Sequence, residues 1–334
     1  MLAASRCAAL CLLLAALPAG LAPPASAQTV RPAGALGPSL SASWARPVGE
    51  TDADADEVDG IGVDDSGNVT SAGVFRGGLD LGRGAWQERG GGDIFVASHD
   101  ARGALRWARQ IGGTGLDNAY DLDVDAQGGV TVSGSFSGRV DFGGKVLTSA
   151  GGTDAFVARY DRDGRLRWAV SFGGTGDDGG NEVAVTALGE VAVTAMSSGP
   201  FRAGTLAFEP GGWTDAYVLR LTTAGRVLWA VPANGRGSER LRAVAIHEDG
   251  TVYAGYEFQG SLTLPGGTVA GVAGRDGAVV KVLPSGAIAW RVAATGPGDD
   301  YVRGVAPGPS GSVVVSGRAT GALVVAGTSF AVSD

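Results

Sequence analysis

Acidic residues follow glycines at several points of this chain, and their oxygen atoms could hold a divalent cation or a basic partner. One such run reads Gly-Gly-Thr-Gly-Asp-Asp at positions 173–178. Ca²⁺ takes several oxygen ligands, which carboxylates supply. Each run provides only one to three carboxylates, so the alternative is that they cap turns and keep a Gly-rich rim soluble. We therefore predict no metal site and no cofactor, and leave Ca²⁺ open. The acidic candidates are Asp117, Asp177, Asp178, Asp299 and Asp300.

Two tryptophans, Trp86 and Trp213, stand outside any repeated pattern. An indole ring on a surface can stack on a sugar ring or a peptide, since one end is apolar and the other polar. The alternative is that each ring covers its own loop against a neighbouring element. Both interpretations stay open at the sequence level.

Five other tryptophans mark a repeat that must position these candidates. They are spaced by 63, 61, 61 and 61 residues. In the last four copies an Asp lies fourteen residues before the Trp and a Gly four residues before it, as in Asp93, Gly103 and Trp107. A fixed period of this size indicates one supersecondary unit stacked on itself. Five rings cannot face one ligand, so we predict a core role between neighbouring units for Trp44, Trp107, Trp168, Trp229 and Trp290.

Each repeat contains the pattern of four short strands. In the second copy we predict strands near 120–125, 129–136, 154–161 and 165–172, because Val, Phe, Tyr and Trp are enriched there and Gly marks the turns. Four antiparallel strands repeated radially form a β-propeller blade. The predicted fold is an all-β propeller of about five four-stranded blades. Its variable loops, between blades and between second and third strands, lie on one face, called here the top face, where binding is expected.

The repeat also resembles a known family. The segments DAFVARYDRDGRLRWAVSFGGTGDD and GSFSGRVDFGGKVLTSAGGTDAF are similar to the bacterial β-propeller repeats of the seven-bladed type. The resemblance covers residues 41–334 and implies a propeller. It implies no particular activity, since the family is defined by its repeat.

The first 27 residues have the pattern of a signal peptide, with Arg6 before an apolar stretch and a small-residue cleavage site at 25–27. We predict export, to the periplasm, the cell surface or the medium. Both cysteines, Cys7 and Cys11, lie in this segment, so the mature chain would have no disulfide. Residues 28–40 are predicted to be a flexible leader and 41–334 a single propeller domain.

Charge limits the partners. The formal net charge is −8 and the pI about 4.9, which argues against nucleic acid or an anionic membrane as partner. No apolar run after the signal peptide has the length of a transmembrane helix.

Two functions from different classes follow. The chain holds only two histidines, His99 and His247, and neither has a second ligand or a nucleophile at a useful spacing. We therefore predict a non-enzymatic exported scaffold that binds a protein or a carbohydrate through its top-face loops. The alternative is a propeller enzyme, quinoprotein-like or glycan-cleaving.

The ends of the repeat region raise the question of ring closure. A fifth copy begins at Tyr301, with strands near 302–306 and 312–318, and its third strand is lacking. Residues 41–48 match a fourth strand. Because propellers avoid exposed sheet edges, we predict that this strand closes a five-bladed ring. The alternative is a fragment of a longer propeller.

Overall fold

A computed structural model describes residues 10–14, 56–235, 237–308, 311–320 and 323–330. Within these ranges the chain forms four-stranded antiparallel sheets in which the strands follow one another in chain order. The predicted all-β, propeller-like fold is confirmed at this level. Strand β1 spans Leu10–Leu14.

The first two blades show how the repeat becomes a sheet. Blade 1 contains β2 (Glu57–Val63), β3 (Val69–Phe75), the hairpin β4 (Gly78–Asp80) and β5 (Ala85–Gln87), then β6 (Asp93–His99) and β7 (Leu105–Ile111). Blade 2 contains β8 (Asp117–Val124), β9 (Val130–Asp141), β10 (Val146–Tyr160) and β11 (Leu166–Phe172). The four strands predicted for the second copy are thus confirmed. The insert between its second and third strands is a hairpin, because β9 and β10 continue pairing into it.

The next two blades repeat this order. Blade 3 contains β12 (Asp178–Val185), β13 (Val191–Ser197), the hairpin β14 (Phe201–Ala203) and β15 (Leu206–Phe208), then β16 (Asp215–Leu221) and β17 (Val227–Ala233). Blade 4 contains β18 (Arg240–Ile246), β19 (Val252–Leu264), β20 (Gly267–Val282) and β21 (Ile288–Thr295).

The fifth copy is partial. It contains β22 (Tyr301–Pro307), β23 (Val313–Arg318), β24 (Leu323–Val325) and β25 (Thr328–Phe330). Strands β22 and β23 pair as predicted, while the hairpin of β24 and β25 joins blade 4 through β21. Strand β1, from the segment predicted to be a signal peptide, pairs antiparallel with β23 at the place of a third strand. The predicted closing strand, 41–48, and Trp44 lie outside the described residues, so the closed ring of five blades stays a prediction.

Blades pack face to face through apolar side chains. The first strands β2, β8, β12, β18 and β22 contact one another in series. Between blades 1 and 2, Ile94 and Trp107 belong to one core cluster with Leu122, Phe136 and Phe156. Burial between sheets, rather than within one sheet, therefore provides most of the apolar stabilisation of the stack.

A tryptophan joins each blade to the next. Trp107 Nε1 donates a hydrogen bond of 2.9 Å to the carbonyl oxygen of Arg162, in the turn between the third and fourth strands of blade 2. Trp168 and Trp229 bond in the same way to Thr223 and Pro284, each 55 residues further along. We call this contact the tryptophan latch. Trp107 and Trp229 are buried, and Trp168 and Trp290 are half-buried.

The glycine four residues before a repeat Trp packs against the Trp of the preceding blade. At Gly164 the backbone has a φ of 75°, and an added Cβ would lie 2.5 Å from the Trp107 ring. Gly225 and Gly286 meet Trp168 and Trp229 in the same manner. Glycine is required because the preceding ring lies flat against the turn and because L-residues disfavour this φ.

Candidate functional site

The acidic candidates do not form one exposed ring, which corrects the sequence-based placement on a soluble rim. Asp117, Asp178 and Asp300 each precede or begin a first strand and are buried between blades. The reason is local: Asp117 Oδ2 accepts a 2.7 Å hydrogen bond from Gly113 N, so the carboxylate folds back under the Gly-rich link. Asp177 and Asp299 are exposed, and each accepts a backbone N–H, from Thr153 (3.2 Å) and Arg275 (3.0 Å) respectively.

Each buried acid faces a second one across the blade junction. The partner is the Asp at the start of the third strand of the preceding blade, such as Asp154 opposite Asp178. Burial raises the pKa of Asp117 and that of Asp154 to about 6, and the neighbouring carboxylate adds to each shift. Sequence inspection identified Asp117, Asp178 and Asp300 as candidates and missed the acids that face them. The four pairs are Asp93 with Asp117, Asp154 with Asp178, Asp215 with Glu239, and Asp276 with Asp300.

The two unusual tryptophans have different surroundings. Trp86 in β5 is half-buried, and its ring lies 6.2 Å from that of Phe75. It covers the hairpin of its own blade. Trp213, in contrast, is 82% exposed. Its backbone N–H donates to the carbonyl oxygen of Gly237 at 3.4 Å, which fixes its loop beside the link between blades 3 and 4.

Trp213 stands at the edge of a groove of about 390 Å³ on the top face. We call this the Trp213 groove; it is lined by Trp213, Gly237, Ser238, Arg240, Glu257, Phe258, Gln259 and Arg275. Glu257 is buried and accepts hydrogen bonds from Arg275 Nη1 at 2.6 Å and from Arg242 Nε at 3.2 Å. Arg240 is exposed. The groove lining thus carries two guanidinium groups, those of Arg240 and Arg275, and one carboxylate, that of Glu257, so its local charge is positive on a chain whose net charge is negative.

A second cavity, of about 610 Å³, adjoins the groove and shares Arg240 with it. Its walls come from blades 2, 3 and 4 and include Tyr120, Asn181, Glu182 and Arg242. Burial raises the pKa of Glu182, and the charges of Arg242 and Arg303 offset part of that shift. The cavity thus places a carboxyl with a raised pKa next to phenol, amide and guanidinium groups. Asp177 and Asp178 also border it, so these two acidic candidates line the cavity that adjoins the Trp213 groove.

The arginines and Glu257 were missed from the sequence, although a signal existed. At the repeat positions of Glu257 the other copies carry Val74, Ser135, Met196 and Arg318. Arg240 stands where the others carry Glu57, Asn118, Gly179 and Tyr301. Departures from the repeat, compared copy by copy, indicate the groove better than the repeated residues do.

The described residues contain no cluster of three or more His, Cys, Asp or Glu side chains arranged to hold a metal ion. Nor do they include a helix with the length and apolar character needed to cross a membrane.

Comparison with known proteins gives one relative of similar sequence. A stretch of 141 residues is 33% identical to the regulatory protein FlaEY of Caulobacter vibrioides. The match covers 41% of this chain and 15% of that protein. No protein-family profile matches the chain, so the seven-bladed repeat type stays a prediction.

Solved structures with a similar arrangement of strands share little sequence. A Bacteroides caccae protein of unknown function has a TM-score of 0.39 at 9% identity, covering 78% of this chain and 70% of its own. A glucose dehydrogenase has a TM-score of 0.29 at 14% identity, covering 70% and 94%. A gluconolactonase from Xanthomonas campestris has a TM-score of 0.25 at 10% identity, covering 79% and 87%. These likenesses fit a β-propeller-like fold and carry no argument about substrates.

The prediction that this chain is not an enzyme is corrected by these neighbours, because two of them are enzymes. That prediction was based on the lack of a catalytic set in the repeated residues. A shared fold hosts many activities, so the repeated residues alone do not decide whether the chain is an enzyme.

Proposed function

We propose that the Trp213 groove binds a carbohydrate that carries carboxylates, outside the cytoplasm. The observation that carries the proposal is the 82% exposure of Trp213 at the edge of a groove with two accessible arginines. Tryptophan is enriched at interfaces because one end of its ring system is apolar and the other carries an N–H donor. Export, predicted from residues 1–27, is part of the same proposal.

The chemistry of the groove favours an anionic sugar over a neutral one. Stacking on an indole ring suits the apolar face of a sugar, and guanidinium groups bind carboxylates through two parallel hydrogen bonds. Arg275 is held in place by Glu257, which reduces the side-chain entropy lost on binding. Arg240 lines both the groove and the cavity, so it would contact a carbohydrate chain that runs from one to the other.

The test is a binding titration of the full chain with hexagalacturonate, and with cellohexaose as the neutral counterpart. We expect the uronate to bind, and Trp213→Ala and Arg240→Gln each to weaken it about tenfold or more, which corresponds to about 1.4 kcal/mol. Trp86→Phe is the matched control and should leave binding unchanged. Equal affinity of Trp213→Ala and the original chain, or binding of cellohexaose alone, would contradict the proposal. Capture of a protein instead would assign the groove to a different ligand class.

A second candidate function, cleavage of the bound carbohydrate, is favoured by Glu182. A carboxyl group whose pKa is raised by burial suits general acid catalysis near neutral pH. The same titration mixtures, analysed for shorter products, test this function. Glu182→Gln should abolish product formation and leave the affinity unchanged. Product formation at the original rate by this variant would contradict it.

A further inference from the structure

Each first strand has a β-bulge at the same position of the repeat. In β8 the pairing with β9 leaves out Tyr120, and in β18 the pairing with β19 leaves out Arg242. Bulges of this kind re-aim a side chain and are frequent next to functional sites. We call the five residues at this position the bulge row. They are spaced by 61 residues and are Asp59, Tyr120, Asn181, Arg242 and Arg303.

The bulge row has the same backbone feature in every blade but a different polar group in most of them. Blade 1 presents a carboxylate, blade 2 a phenol, blade 3 an amide, and blades 4 and 5 a guanidinium group each. The repeat Trp, which packs between blades, is in contrast the same in every copy. The bulge row is therefore a fixed frame with variable chemistry, and its positive charge belongs to blades 4 and 5.

Four members of the bulge row surround one space. Tyr120, Asn181 and Arg242 line the cavity of about 610 Å³, together with Glu182. Burial raises the pKa of Glu182, and the charges of Arg242 and Arg303 offset part of that shift, which places both guanidinium groups near its carboxyl group. Arg303 thus lies close to the cavity that the other three line.

The two arginines of the bulge row are held in place with donors left for a ligand. Arg242 donates from Nε to Glu257 Oε2 at 3.2 Å, so its two Nη groups are available. The Arg303 guanidinium group lies over the ring of Tyr301, 4.7 Å from its centre, and Arg303 is exposed. A guanidinium group binds a carboxylate through two parallel hydrogen bonds. This end of the row therefore suits a carboxylate.

Tyr120 adds a neutral donor. Its Oη accepts hydrogen bonds from Asn118 Nδ2 at 3.4 Å and from Ser135 Oγ at 3.1 Å, so its own hydrogen can be donated to a ligand oxygen. The side chain is 41% exposed, and a phenol offers a sugar both an apolar face and a polar group. A sugar residue in the cavity would thus meet phenol and amide on one side and guanidinium on the other.

The carboxyl groups of the cavity do not oppose an acidic ligand strongly. Asp177 and Asp178 already accept hydrogen bonds, from Thr153 N at 3.2 Å and from Gly174 N at 2.7 Å. Burial raises the pKa of Asp178 and that of Glu182, which reduces the negative charge that they carry near neutral pH. The guanidinium groups stay charged.

The cavity continues the Trp213 groove, since Arg240 lines both. Arg240 and Arg242 are two positions apart in β18, about 7 Å along the strand, a short separation that fits adjacent sugar residues. We propose that Arg242 and Arg303 bind the carboxylate of a second sugar residue of the same chain, so that the ligand is a polymer whose neighbouring residues are acidic. This inference rests on the proposed function, because it takes the ligand of the groove to be a carbohydrate.

The experiment titrates the full chain with hexagalacturonate, in which every residue carries a carboxylate, and with a hyaluronan hexasaccharide, in which every second residue does. We expect tighter binding of hexagalacturonate. Arg303→Gln should weaken it about tenfold, because a charge-assisted pair is lost, and should leave hyaluronan binding unchanged. Arg303 is the decisive position because Glu257 is held by Arg242 and Arg275 and not, in the described part of the chain, by Arg303.

Two further variants sharpen the assignment. Arg165→Gln makes the same change of charge at an exposed turn of blade 2 and should leave both affinities unchanged. Arg242→Lys keeps the charge but loses the planar fork, so it should weaken hexagalacturonate less than Arg242→Gln does.

Unchanged affinity of Arg303→Gln for hexagalacturonate, with Trp213→Ala still weakening it, would overturn this inference and leave the proposed function intact. Equal affinity of the original chain for the two hexasaccharides would also overturn it, because neighbouring acid groups would then give no advantage. Failure of the proposed function has a different signature: Trp213→Ala keeps full affinity, or neither hexasaccharide binds.

Discussion

The first strands of blades 1 and 2 occupy the same place in the repeat but have different surroundings. Ile61 in β2 is 68% exposed, whereas its counterpart Leu122 in β8 is 4% exposed. Val58 and Val63 of β2 are also exposed, while Ala119 is buried. The repeat therefore determines which side chain is apolar, and the presence of a preceding blade determines whether it is buried. We call these the end face, on β2, and the interior face, on β8.

The largest expected effect is at the tryptophan latch of the interior. Trp107→Ala removes a buried ring and its bond to Arg162, and should lower the free energy of unfolding by about 3–5 kcal/mol. Chemical denaturation measures this loss. Trp213→Ala, at an exposed ring, should change stability by less than about 0.5 kcal/mol. Similar losses in both variants would show that the latch adds nothing to packing between blades.

A smaller effect compares the two faces directly. Leu122→Ala should cost about 2–4 kcal/mol because it leaves a cavity between blades 1 and 2. Ile61→Ala, at the same repeat position, should cost less than about 0.5 kcal/mol. Both are measured by denaturation of otherwise identical chains. A large loss for Ile61→Ala would mean that the end face is covered in solution and would break the comparison.

The third effect concerns pH. Burial against blade 3 raises the pKa of Asp121, in β8, to about 7, although Val183 N donates to its Oδ2 at 2.9 Å. The folded chain then binds a proton that the unfolded chain releases above pH 4. Stability from this group is present below pH 4 and lost as the pH rises to 7. Gly60, at the same repeat position of β2, lies against β8 and has no such group.

Asp121→Asn keeps an acceptor for Val183 N and cannot ionise. Between pH 4 and 7 it should lose less stability than the original chain, by about 2 kcal/mol, roughly half the full conversion because the side chain is partly exposed. Asp100→Asn is the contrast, since hydrogen bonds from Ala104 N and Arg102 N lower the pKa of Asp100. Parallel pH profiles of Asp121→Asn and the original chain would refute the assignment.

The sequence predicted the blades well because each strand is encoded locally. In blade 2 the predicted second strand near 129–136 and the observed β9 from Val130 coincide, since β-branched residues and a turn glycine mark its start. In each of the last four copies the Trp follows the Asp by fourteen positions, and the third and fourth strands form a hairpin over this span. Local pattern and local structure agree here, as expected for a repeat whose contacts are mostly with neighbours.

The site was harder to predict because it depends on contacts between copies. Asp117 ends a Gly-rich link and has the pattern of an exposed turn cap, yet it is buried against the preceding blade. The Trp213 groove combines Arg240, Glu257 and Arg275 from three different strands of blade 4 and its links. No regular spacing along the chain predicts that these three side chains lie in one groove. The sequence does show that Arg240 and Glu257 differ from the residues at the same positions of the other copies.

The tryptophan latch has a direction, and this direction has a consequence for synthesis. Trp107, Trp168 and Trp229 each donate to a carbonyl 55 residues further along the chain. At about 5–20 residues per second, the acceptor turn leaves the ribosome roughly 3–11 s after the tryptophan that needs it. A newly made blade therefore waits, with one unlatched indole, until its successor is translated. If blades form during synthesis, we expect assembly from the N-terminal side, with the newest blade offering the uncovered ring to a chaperone or to an aggregating neighbour.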